Sequence, residues 1–175
     1  MVWVGRDPLG VESCEVGRVA GGWSLQGTIV RPFEERPAVI SYAIRADASW
    51  RTRDVVVDQQ LRGKRSSLTL AVRRSGWFVN GREDLRLAGC VDADLQASPV
   101  TNSLPIKRLR LGIGTGLEVT AAWVRFPSLR VEPLRQRYER IGRSRYAYSS
   151  GSFKAELLTD TFGLVRRYGN YWFAV

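Results

Sequence analysis

A chain of 175 residues, 44% hydrophobic and 25% charged, has the size and composition of one folded domain with a real core. Its formal net charge of +10 favours anionic partners such as nucleic acid, phospholipid headgroups or acidic lipids. Histidine is absent, which removes the commonest general base, the commonest metal ligand and the usual triad partner, and so argues against an ordinary hydrolase or zinc enzyme.

The chain reads as short extended pieces separated by turns. Val2-Trp3-Val4 leads into a turn segment punctuated by Asp7-Pro8 and Gly10. Trp23, Leu25 and Ile29 alternate with Ser24, Gln26 and Thr28, the period of a half-buried strand, broken at Gly27. A turn with Pro32 and Pro37 separates it from Ile40, Tyr42 and Ile44 at the same period. Asp47-Ala48-Ser49 makes the next turn, and Trp50 to Leu61 forms a strand carrying Val55, Val56 and Val57. Leu68, Leu70 and Val72 alternate with Thr69, Ala71 and Arg73, and Ser75-Gly76 turns the chain. Trp77-Phe78-Val79 ends at Asn80-Gly81, a strong tight-turn signal between strands.

An apolar run holding Asp92 and Asp94 follows, and then a loop from Pro99 to Pro105. Lys107-Arg108-Leu109-Arg110 alternates like an edge-strand face. Gly112, Gly114 and Gly116 lead into Leu117, Val119, Ala121 and Trp123, and short extended pieces continue to Tyr171-Trp172-Phe173. No amphipathic helix of three turns is visible, since the one candidate, Leu134 to Ile141, is short and loaded with arginine. The expected fold is all-β: one domain, residues 1–175, of many short antiparallel strands in a large curved sheet or barrel-like fold with an apolar interior.

No apolar run approaches the roughly 20 residues of a membrane-spanning helix, and no basic, then apolar leader begins the chain. The expectation is a cytoplasmic protein in which Cys14 and Cys90 are reduced, buried thiols. Gly112-Ile113-Gly114-Thr115-Gly116 lacks the strand–loop–helix context of a phosphate cradle and reads as a strand connection. Asp92-Ala93-Asp94 matches the short Asp-x-Asp pattern of some metal-dependent sugar transferases. No nucleotide-binding unit accompanies it, so no metal and no cofactor are expected.

The densest polar constellation is Gly89-Cys90-Val91-Asp92-Ala93-Asp94-Leu95 followed by Thr101-Asn102-Ser103-Leu104-Pro105-Ile106. In extended chain Asp92 and Asp94 project to one face, which is unfavourable unless that face meets water, cations or a ligand. This run, with Trp77-x-Val79-Asn80-Gly81 before it, closely resembles the bacterial family named putative glycolipid-binding. The resemblance extends to Gly22-Trp23-x-Leu25-x-Gly27, Trp50-Arg51-Thr52-Arg53 and Gln136-Arg137-Tyr138, nearly the whole chain. It implies a barrel-like β fold, similar to bacterial lipoprotein carriers, with a hydrophobic interior that holds a glycolipid. From the motif matches, the candidate ligand-binding residues are Trp50, Arg51, Asp92, Asp94, Thr101, Asn102, Gln136 and Tyr138.

The residues by themselves leave three functional classes open. Six each of Trp, Tyr and Phe suit a cavity for an amphipathic ligand, with arginines at its rim. A nucleic-acid-binding barrel would need exposed rings beside basic residues, and Arg137-Tyr138, Arg145-Tyr146 and Arg167-Tyr168 come near that pattern. An enzyme would use Asp92 and Asp94 as an acid/base pair. Against this, the two aspartates also read as structural, bonded to loop amides of Thr101 to Ser103 or paired with arginines. The expectation is a non-catalytic binder of an amphipathic small molecule, with a glycolipid as the ligand the resemblance implies.

Overall fold

The computed structural model describes residues 1–7, 9–34, 36–74 and 76–175, so Pro8 and Ser75, both expected in turns, lie outside the described residues. The first half of the chain is a meander of β1 (Val2–Arg6), β2 (Leu9–Val19), β3 (Gly22–Phe33), β4 (Arg36–Asp47), β5 (Thr52–Leu61), β6 (Lys64–Arg73), β7 (Gly76–Val79) and β8 (Arg82–Glu83). The second half comprises β9 (Asp92–Leu95), the helix α1 (Ser103–Leu109), β10 (Gly116–Val124), β11 (Val131–Gly142), β12 (Arg145–Ser150), β13 (Phe153–Thr159), β14 (Val165–Tyr168) and β15 (Trp172–Ala174). Among the described residues these fifteen strands form one sheet, ordered β8-β7-β6-β5-β4-β3-β2-β1-β15-β14-β13-β12-β11-β10-β9. The two halves join where β1 pairs with both β2 and β15, so the chain's two ends meet in mid-sheet.

The period-two pattern sets which side chains point inward. Leu25, Ile29, Ile40, Ile44, Val55, Val57, Leu68 and Leu70 are fully buried on the concave face. Each such residue stabilises the fold by about 1.5–3 kcal/mol. At the Asn80-Gly81 turn both residues take positive φ, +48° and +79°, the geometry that lets Val79 pair directly with Arg82. Pro32 and Pro37 face each other across the β3/β4 ladder instead of standing in the turn.

Every neighbouring pair is antiparallel except β9 and β10, which run parallel from Asp92 beside Ala121 to Leu95 beside Val124. A parallel pair needs a long crossover, and α1 supplies it. Here the structure corrects two expectations. The stretch from Pro99 to Pro105 is not a loop, and Lys107 to Arg110 is not an edge strand: Val100–Asn102 forms a 3-10 turn that runs into α1. Pro105 is the third helical residue, where its missing N–H has no intrahelical partner to lose. Seven residues are too few for a stable isolated helix, so burial of Leu104 and Ile106 holds this one in place.

Among the described residues the sheet is strongly curved but does not close, so of the two expected forms it takes the large curved sheet and not the barrel. Its edge strands, β8 and β9, share no ladder. Instead, side chains of the first half reach the segment before and within β9. The Trp77 indole donates to the Cys90 carbonyl at 2.9 Å, and the Ala93 N–H donates to the Thr52 hydroxyl at 2.9 Å. Two stretches of the resemblance, Trp77 to Gly81 and Gly89 to Leu95, are thereby fastened together. Among the described residues no helix is long and apolar enough to cross a membrane.

Candidate functional site

Strand β9 carries its two carboxylates into the interior, and each meets a different partner. Arg108 of α1 grips Asp92 with both ends of its guanidinium, Nε to Oδ1 at 3.1 Å and Nη2 to Oδ2 at 2.6 Å. Burial pushes the Asp92 carboxyl above its usual range, and the Arg108 bonds and charge oppose that rise. Asp94 accepts from the Gln136 amide of β11. Its burial raises the carboxyl to about 6 against the pull of Gln136, and the charge of Asp92 adds to the rise.

The network continues from Gln136. The Tyr138 hydroxyl donates to Asn102 Oδ1 at 2.8 Å and lies 3.2 Å from Gln136 Oε1. Gln136 and Tyr138 reach inward together because they are two apart on one strand. Asn102 joins them because the 3-10 turn places it ahead of α1. Four of the eight residues drawn from the motifs, Asp94, Asn102, Gln136 and Tyr138, therefore form one buried, hydrogen-bonded group.

This group backs a cavity of about 480 Å³. Asp94, Asn102 and Ser98 supply its buried polar wall. Phe126, Tyr148, Phe153, Tyr168, Tyr171 and Trp172 supply rings. Phe153 stacks on Tyr168 at 6.0 Å between centroids and lies 5.7 Å from Tyr171. Phe153 and Tyr171 are among the more exposed rings of the protein, so this side faces solvent. Arg31 also lines the cavity, half-buried beside the Phe33 ring at 4.9 Å, and its Nε has no hydrogen-bond partner among the described residues.

The remaining motif residues sit elsewhere or do other work. Thr101 accepts the Leu95 N–H and donates to the Ser98 carbonyl, both at 3.3 Å, and so shapes the loop behind the cavity. Asp92 is occupied by Arg108. Trp50 is buried away from the cavity wall, stacked on Trp23 at 4.4 Å, with a left-handed φ of +66°. Arg51 is exposed. Among the described residues no bond joins the aspartates to the loop amides of Thr101 to Ser103, whereas the expected arginine pairing is present at Asp92.

Sequence reasoning missed Arg108, Arg31 and, most of all, Glu12. Glu12 is fully buried on β2, where one carboxyl oxygen accepts from the hydroxyls of Tyr42 and Ser98. Its other oxygen is buried without a partner among the described residues, and burial lifts the group to about 7. The rings that a nucleic-acid reading needed at the surface face inward. Tyr138 and Tyr146 are buried, and Tyr168 is partly buried. Cys14 and Cys90 are free and buried, and burial pushes both thiols up to about 11. Among the described residues no group of three or more His, Cys, Asp or Glu side chains is placed to hold a metal ion.

Comparison with known proteins adds two findings. A family model described as "Putative glycolipid-binding" matches residues 1–173. The fold is similar to the crystal structure of a DUF1089 family protein from Pseudomonas aeruginosa, with a TM-score of 0.85 and 30% sequence identity over 94% of this chain and 92% of that one. No curated protein matches.

Proposed function

The chain belongs to the family described as putative glycolipid-binding, and from that premise we propose that it binds an amphipathic ligand, a glycolipid by chemistry, without catalysis. The observation that carries this reading is the cavity itself: aromatic walls on the solvent side and a wall of buried hydrogen-bonding groups behind them. Sugar hydroxyls would donate to Asp94 and exchange bonds with Asn102 and Ser98, while the rings cover apolar faces of the ligand. A volume of about 480 Å³ takes a drug-sized portion, so a long acyl chain would extend beyond the opening.

Two features support binding over the other classes. Asp92 is bound to Arg108 and Asp94 to Gln136, and these separate partners favour a binding wall over a paired acid and base. The tyrosines beside arginines turn inward, which leaves no row of exposed rings along those stretches for bases to stack on.

Native mass spectrometry of the purified protein, followed by organic extraction, tests the proposal. The expected result is a lipid at near one-to-one stoichiometry, or its uptake when lipid extract is offered. A protein that stays empty in extract, yet binds single-stranded nucleic acid with a steep salt dependence, would overturn the reading.

A further inference from the structure

A second hollow, of about 470 Å³, opens toward the C-terminal end of α1, whereas the aromatic cavity meets the residue at the start of that helix, Asn102. Lys107, Arg110, Arg140 and Arg143 line it, together with Trp50 and Asp160. Four cations thus face one carboxylate, and that carboxylate is already engaged. Asp160 Oδ1 accepts the backbone N–H groups of Gly163 and Leu164, each at 2.8 Å, which ties up its own loop. Among the described residues none of the four cations forms an ion pair.

Arg140 is the fixed point of this cleft. Its guanidinium donates to three backbone carbonyls, Nε to Gly142 at 3.2 Å, Nη1 to Leu111 at 2.9 Å and Nη2 to Arg143 at 2.6 Å. These bonds hold the side chain in one place without neutralising it, and guanidinium N–H donors remain free. Lys107 is fixed differently. Its ammonium donates to the Phe162 carbonyl and lies 3.7 Å from the Phe162 ring centroid and 5.1 Å from that of Trp50. Burial pulls its pKa below the usual lysine range, with the charge of Arg110 adding to that and the charge of Asp160 opposing it only in part.

Arg140 and Lys107, held in place before any ligand arrives, are pre-organised for an anion, since the cost of ordering them is already met by the fold. The exposed Arg110 and Arg143 add charge at the rim. Guanidinium forks and an ammonium suit a tetrahedral, multiply charged oxyanion better than a single carboxylate. We propose that this cleft is a binding site for a phosphate group, carried by a phosphorylated small molecule or by a lipid headgroup. The site is separate from the aromatic cavity and does not depend on an amphiphile occupying it.

The test uses sodium pyrophosphate in titration calorimetry and vesicles of phosphatidylcholine with or without phosphatidylglycerol in co-sedimentation. The variant is Arg110→Asn with Arg143→Ser. Both side chains are exposed, and Asn tolerates the left-handed φ of +48° at position 110. Arg143→Ser alone serves as the milder second variant. Pyrophosphate binding that weakens with salt, and falls about tenfold or more in the double variant, supports the proposal and identifies a soluble phosphate. Retention on phosphatidylglycerol vesicles alone, lost in the same variant, supports it with a headgroup as the source. Binding of neither probe, or binding that the double variant leaves unchanged, overturns it. Phe153→Ala, placed in the aromatic cavity, should leave pyrophosphate binding intact, so failure here is distinct from failure of the amphiphile reading.

Discussion

The phenol of Tyr42 donates to one oxygen of Glu12, while the other oxygen of that carboxyl is buried with no partner among the described residues. A carboxyl so placed holds its proton up to about pH 7 in the folded protein, against an ordinary value of 4.5. Burial is the cause, and the Ser98 and Tyr42 bonds oppose it only in part.

This arrangement fixes the sign of a pH effect. Between 4.5 and about 7 the unfolded chain has released the proton that the folded chain keeps, so stability falls as pH rises through that window and then levels off. Asp94, raised from 3.8 to about 6, acts in the same direction. The Glu12 contribution alone is on the order of 3 kcal/mol. Urea unfolding at pH 5 and pH 8 should show the loss in the wild type and a flatter profile in Glu12→Gln. A wild-type protein that gains stability between those values would refute the assignment.

The Asp92–Arg108 pair predicts an asymmetric cost. Arg108→Ala leaves a carboxylate at 2% exposure with no cation and should destabilise by about 3–5 kcal/mol. Asp92→Asn should cost less, because the Arg108 side chain is 14% exposed and its guanidinium can turn toward water. Equal and small losses in chemical denaturation would show that the pair contributes little.

Gly27 predicts a tight-packing effect. A Cβ there would lie 2.6 Å from the Ser13 carbonyl oxygen and collide with the Tyr42 phenol. Gly27→Ala should therefore cost at least ~1–3 kcal/mol and should also disturb the Tyr42–Glu12 bond. The check is thermal unfolding together with the pH profile, which should change in this variant if Tyr42 is displaced.

Phe153 predicts an effect on binding with little effect on folding. It is 36% exposed, yet it sits among Tyr148, Tyr168 and Tyr171 at centroid distances of 5.7–6.1 Å. Phe153→Ala should weaken amphiphile binding by roughly tenfold, the equivalent of ~1.4 kcal/mol of ring contact. Unchanged affinity in a fluorescent-lipid displacement assay would remove this ring from the site.

Trp50 predicts the opposite. Its stack on Trp23 at 4.4 Å is part of the core, so Trp50→Ala should cost about 3–5 kcal/mol. Because the ring is not part of the cavity wall, amphiphile affinity per folded molecule should hold. Parallel measurement of melting and of ligand stoichiometry separates the two effects.

The sequence by itself determined the all-β class and the Asn80-Gly81 hairpin, because alternation and turn chemistry are local properties that need no knowledge of neighbours, while a curved sheet and a barrel stayed equally open. The family's motifs put Asp94, Asn102, Gln136 and Tyr138 among eight candidate residues, but did not show that these four meet. Tertiary structure decided the rest. It turned Ser103–Leu109 into a helix, since its stability comes from burial and from the crossover that β9 and β10 require. It separated Trp50 and Arg51 from the cavity, since shared membership of a motif does not set which way a turn points its side chains. It also placed Glu12 in the core while leaving Val11 47% exposed, the charged residue inside and the apolar one outside. That choice rests on Tyr42 and Ser98, which come from 30 and 86 residues away in the chain to satisfy one carboxyl oxygen. A hydrogen bond across that separation leaves no trace in local pattern, because it exists only once the sheet has curved.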